Sequence, residues 1–140
     1  MPTLTLRGLG KSYGSVAVVK GVDLSLADGE FVSLLGPSGC GKTTTLRMIA
    51  GFIEPTTGTI EMDGAVLSSP GAAMPPERRG MSMIFQSYAI WPHMTVSENV
   101  GFGLSLRKVP AAEVKRRVGK ILEVVQMGHL AQRYPAELSG

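Results

Sequence analysis

Residues 30–51 read E-F-V-S-L-L-G-P-S-G-C-G-K-T-T-T-L-R-M-I-A-G, and the architecture turns on them. E-F-V-S-L-L-G at 30–36 is a short, mostly apolar run, which predicts a strand buried in a sheet. It leads into G-P-S-G-C-G-K-T at 36–43, which fits G-x-x-x-x-G-K-[ST], the phosphate-binding loop pattern. Gly36, Gly39 and Gly41 let the backbone curl and approach an anion closely. Successive N–H groups then face inward as a nest for phosphate oxygens, and the following helix aims its positive end at the same point. Lys42 is placed to reach β- and γ-phosphates, and the Thr43 hydroxyl to ligate Mg²⁺. Along the helix, Leu46, Ile49 and Ala50 mark the expected buried side, with Gly51 as its stop.

Moving outward, L-T-L-R-G-L places Leu4 and Leu6 on one face of a strand, and Val22, Leu24 and Leu26 alternate in another. Ala27-Asp28-Gly29 reads as a turn. G-T-I-E-M-D-G-A-V-L reads as a hairpin with Asp63-Gly64 at its tip. Residues 68–80, rich in Pro, Gly and Ser, read as a loop, and M-S-M-I-F at 81–85 as another short strand. Thr95 and Glu98 form a capping box that opens a helix. Val114, Val118, Ile121, Leu122 and Val125 recur at helical spacing between Pro110 and Gly128.

Bulk composition fits a folded domain. The chain has 140 residues, 44% hydrophobic and 18% charged, with no internal repeat or low-complexity tract. Eighteen glycines and nine prolines imply many tight turns. Cys40 is the single cysteine, which excludes an internal disulfide and suits a reducing compartment. The first ten residues lack the charged and apolar regions of a signal peptide. No apolar run reaches the roughly 18 residues of a membrane span. A net charge of +3 favours anions weakly and gives no indication of a nucleic-acid partner.

Three stretches narrow the family: GPSGCGKTTTLRMIAGFIEPTTGTIEMDG, then ERRGMSMIFQSYAIWPHMTVSENVGFGL, then a final LSG. In order and spacing they closely resemble the ATP-binding subunits of ABC transporters, above all importers of the polyamine, ferric iron, sulfate and sugar group. The resemblance implies an α/β fold of the P-loop NTPase type. Its N-terminal portion comprises an antiparallel β subdomain and phosphate-loop core over about 1–86, and a helical subdomain over about 87–140. It implies ATP and Mg²⁺ as cofactors. Gly36, Pro37, Ser38, Gly39, Cys40, Gly41, Lys42, Thr43 and Thr44 would contact the nucleotide, with no catalytic part for Cys40. Tyr13 would stack on adenine, the alternative being a turn aromatic. Gln86 would sense Mg²⁺ and the γ-phosphate together with Thr43. Leu138, Ser139 and Gly140 match the start of the L-S-G-G-Q signature, which in the family meets ATP held by the opposite subunit of a dimer. Trp91, Pro92 and His93 match the segment that docks on membrane subunits, with local packing of Trp91 as the alternative and no catalytic part for His93. The basic residues Arg107, Lys108, Lys115, Arg116, Arg117 and Lys120 read as a solvated helix face.

The same resemblance places the chain peripherally at the cytoplasmic face of the membrane. Its expected partners are a second ATP-binding subunit, permease subunits and, indirectly, a solute-binding protein. Asp23 and Asp28 precede the phosphate loop, and Asp63 sits in a hairpin turn after T-I-E-M and not after four apolar residues, so none matches the aspartate that holds Mg²⁺ in P-loop ATPases. The family's catalytic glutamate and switch histidine would lie beyond Gly140. The expectation is therefore a truncated, N-terminal part of the ATP-binding subunit that powers solute import through an ABC transporter, whose central strand would miss its parallel neighbours. The alternatives are a binding-only module and a soluble ABC-type ATPase outside transport.

Overall fold

The computed structural model describes residues 3–138. They form two compact units, divided between Met83 and Ile84.

The first unit is built on an antiparallel sheet. Strand β1 (Leu4–Tyr13) forms a hairpin with β2 (Val16–Leu26). Helix α1 (Lys42–Ala50) follows the glycine-rich loop. Strands β3 (Thr57–Met62), β4 (Ala65–Ser69) and β5 (Ala72–Ala73) complete the order β2-β1-β3-β4-β5. The hairpin tip between β3 and β4 lies at Asp63-Gly64 as expected, with φ of 52° and 79°. Leu6, Leu9, Val19, Ile60 and Leu67 bury one face of the sheet, and Met48 of α1 inserts among them. Full burial of such a side chain contributes about 1.5–3 kcal/mol.

Three sequence expectations need correction in this unit. The buried residues of α1 are Thr45 and Met48, whereas Leu46 is exposed. Sheet packing selects that face, and the apolar count along the helix does not. The supposed loop 68–80 contains the end of β4, the two-residue β5 and a 3₁₀ turn, Pro76–Arg78. Residues 31–37 are not a strand, and neither are 81–85. Strand character needs a neighbouring ladder, and no described strand pairs with either segment. Phe31 is accordingly 90% exposed and Leu35 91%.

The second unit is helical. Thr95 caps α2 (Val96–Leu106) with the expected box: its hydroxyl accepts the Glu98 N–H at 3.2 Å, and the Glu98 carboxylate accepts the Thr95 N–H at 2.7 Å. Those hydrogen bonds from Thr95 hold the Glu98 carboxyl below its ordinary pKa. Helix α3 (Ala111–Val124) packs on α2 where Gly101 leaves room for Val114 and Val118. It ends before the expected Gly128. Gln126 takes the left-handed position at φ 58°. Its N–H reaches Glu123 O, and the Met127 N–H reaches Leu122 O. Met127 thereby folds back onto the Val96–Val118–Leu122 cluster, and that burial decides where the helix stops. Ile121 and Val125, expected on the buried stripe, are exposed.

Candidate functional site

The phosphate-loop sequence becomes a turn at 38–39 that enters α1 directly. Gly41 is the N-cap, left-handed at φ 93°. A Cβ there would lie 2.7 Å from the Val18 carbonyl oxygen and 2.9 Å from Val19 Cγ2. Only glycine lets the loop rest this closely on β2. Thr45 reinforces the entry, since its N–H and its hydroxyl both donate to Gly41 O, at 2.8 and 3.0 Å. The Lys42 ammonium folds over the loop, donating to Gly36 O and Pro37 O at 2.7 Å each and to Cys40 Sγ at 3.3 Å. Cys40 and Thr43 are exposed.

Beside the loop lies a cavity of about 690 Å³, lined on one side by Gly39, Gly41 and Lys42 and on the other by Val16 to Val19 of β2. Tyr13, half exposed, is register-paired with Val16, which lines the cavity, and the Lys11 ammonium sits 5.3 Å from its ring centroid. A glycine-rich backbone, one ammonium, an exposed hydroxyl and an apolar wall suit a ligand with a phosphate end and a flat apolar end. Thr43 adds a hydroxyl oxygen of the kind Mg²⁺ accepts. Among the described residues, no group of three or more His, Cys, Asp or Glu could hold a metal alone. Asp23 and Asp63 instead accept the N–H groups of Gly8 and Thr3, both at 2.7 Å, as parts of the sheet.

Comparison with protein families matches residues 19–140 to the description "ABC transporter". The chain belongs to the ABC transporter family. It is 51% identical, over its whole length, to the spermidine/putrescine import ATP-binding protein PotA of Thermobifida fusca. Identity is 50% to the same protein of Nitrosomonas eutropha and 46% to the sn-glycerol-3-phosphate import ATP-binding protein UgpC 1 of Rhizobium johnstonii, again over the whole chain. The chain spans 36–38% of the length of these relatives.

Other candidate residues of this ABC family member lie in the second unit. Gln86 sits in an exposed turn at 86–89, after an irregular segment instead of the expected strand. Trp91 is 46% exposed, between the expected alternatives of docking and packing. Its ring meets Phe102 at 5.6 Å and His93 at 6.0 Å between centroids. Pro92 and His93 are exposed, and His93 lines a second cavity of about 840 Å³ along α2 and the start of α3. Leu138 packs partly buried on the α2–α3 core, while Ser139 and Gly140 lie outside the described residues. No described helix is long and apolar enough to cross a membrane.

Sequence reasoning missed two organising side chains. Asn99 accepts the Trp91 N–H at 2.8 Å and donates to the carbonyls of Trp91, Met94 and Thr95 at 3.0 Å, which fixes the 91–95 loop. Arg79 is 4% exposed and contacts five acceptors. An Asn three residues into a helix after a capping box is a weak signal for the first. An arginine beside Pro and Gly carries no readable signal for the second.

Proposed function

We propose that the chain binds Mg-ATP at the 36–44 loop and contributes the nucleotide-binding part of an importer's ATP-binding subunit. The cavity shared by the glycine-rich loop and β2 is the observation that carries this reading. The loop N–H groups and the Lys42 ammonium hold the phosphates, Tyr13 and the valines of β2 take the base, and the Thr43 hydroxyl would ligate Mg²⁺. The ion would neutralise phosphate charge. Among the described residues the Lys42 ammonium has only carbonyls and a thiol as partners, so exchanging them for phosphate oxygens strengthens its hydrogen bonds.

We further propose that the 91–93 segment, with its half-exposed Trp91 and the adjoining cavity, docks on a permease subunit. Leu138 to Gly140 would face the nucleotide of a second copy. This places the chain peripherally at the cytoplasmic face of a membrane. The relatives named above share the description of import ATP-binding proteins and differ in solute, so only the shared property is carried over.

The test is Mg-ATP binding by wild type and Lys42→Ala. Hydrogen bonds to charged groups contribute roughly 1.5–3 kcal/mol, so the variant is expected to bind at least about tenfold more weakly. Equal affinities in two folded proteins would refute the assignment.

A further inference from the structure

The guanidinium of Arg79 is buried and has no carboxylate partner among the described residues. Its acceptors are backbone carbonyls and one hydroxyl. Nη1 donates to Met48 O at 3.1 Å and to Ile49 O at 2.8 Å, both in the last turn of α1. Nη2 donates to Leu67 O at 3.4 Å and to the Ser68 hydroxyl, both on β4. Nε donates to Met74 O at 2.8 Å. One planar fork therefore joins the end of the phosphate-loop helix to the sheet, and its charge lies at the negative end of the helix dipole. The chain is shaped around this fork. A Cβ on Gly51, the left-handed C-cap of α1, would lie 2.4 Å from Arg79 Nε. Burial lowers the arginine's pKa, and the surrounding acceptors compensate for the lost water.

We propose that Arg79 is a positioning residue for nucleotide binding: by fastening the C-terminal end of α1 to β4, it sets where the N-terminal end presents Gly41, Lys42 and Thr43. The inference rests on the phosphate-loop reading given above. Helix α1 is held at three places along its nine residues. Gly41 lies against β2, Met48 is buried in the core, and Arg79 clasps the last turn. Without the clasp, the helix can pivot on Met48. Met48 is six residues from Lys42, about 9 Å along the axis, so a tilt of about 10° moves the loop end by roughly 1.5 Å. Phosphate cradles tolerate about 0.5 Å, and misplacement by about 1 Å can cost up to about a hundredfold.

The experiment measures Mg-ATP and inorganic pyrophosphate binding by the full chain, at a temperature where circular dichroism shows each protein folded. It compares wild type, Lys42→Ala, Arg79→Met and Arg79→Lys. In Arg79→Met, affinity for both ligands is expected to fall by the same factor, between about ten- and a hundredfold, because the loss lies in the phosphate cradle. Arg79→Lys should fall less but measurably, since a point charge cannot bridge α1 and β4 at once. If Arg79→Met does not fold, Arg79→Lys carries the test. A purely stabilising arginine would lower only the unfolding midpoint. Wild-type affinity in either folded Arg79 variant, beside a weakened Lys42→Ala, overturns this inference alone. Absent wild-type binding, or a Lys42→Ala that binds equally well, overturns the phosphate-loop reading and this inference with it.

Discussion

Replacing Gly41 by alanine tests how tightly the phosphate loop is seated on the sheet. Two costs add. At φ 93° an L-residue is in the left-handed region, which costs roughly 1–2 kcal/mol. The new methyl would also lie 2.7 Å from the Val18 carbonyl oxygen. That atom belongs to the backbone of β2, a strand in register with β1, so relief requires moving the helix or the strand. Overpacking of this kind costs about 1–3 kcal/mol. Gly39 supplies the control: its φ is 81°, but a Cβ there meets nothing within 4 Å, so only the backbone cost applies. The two variants should therefore differ by about 1–3 kcal/mol in stability, with Gly41→Ala the weaker. In urea unfolding followed by circular dichroism, with a slope near 2 kcal/mol per M, their midpoints should separate by about 0.5–1.5 M. Coincident midpoints would show that the loop does not rest on β2 as described.

Three further outcomes are expected. Cys40 is exposed in the loop with Lys42 on its sulfur, so a maleimide should modify it and Mg-ATP should slow the reaction; a labelling rate indifferent to nucleotide would place Cys40 outside the site. Thr95→Ala removes the hydroxyl that caps α2 and should cost about 1 kcal/mol of stability, read as an earlier unfolding midpoint with no change in Mg-ATP affinity. Hydrogen bonds from Arg116 and Arg117 lower the Glu113 pKa to about 2 from the ordinary 4.5, and those from Thr95 also lower that of Glu98. Because the folded values are depressed, these carboxylates contribute stability that is fully present above their unfolded pKa. It is lost as pH falls through about 4.5 toward 2, and Glu113→Gln should flatten that acid limb.

Features legible in the sequence are those whose partners lie within a few residues. The Asp63-Gly64 tip and the Thr95–Glu98 box each involve groups three positions apart or closer, and each formed as read. Local geometry alone places such groups together. Tertiary structure decided what depends on distant partners. Residues 31–35 and 81–85 have the composition of strands but no ladder among the described residues, and an apolar run becomes a strand only beside another. The buried face of α1 passed from Leu46 to Thr45 and Met48 because the sheet offers its pocket there. Helix α3 stopped at Val124, with Gln126 and not Gly128 as the left-handed residue beyond its cap, because burying Met127 outweighs the cost of a left-handed glutamine. The Arg79 clasp joins groups up to 31 positions apart, and no spacing rule in a linear chain encodes it. It exists because the fold brings the end of one helix, one strand and one loop within reach of a single planar fork.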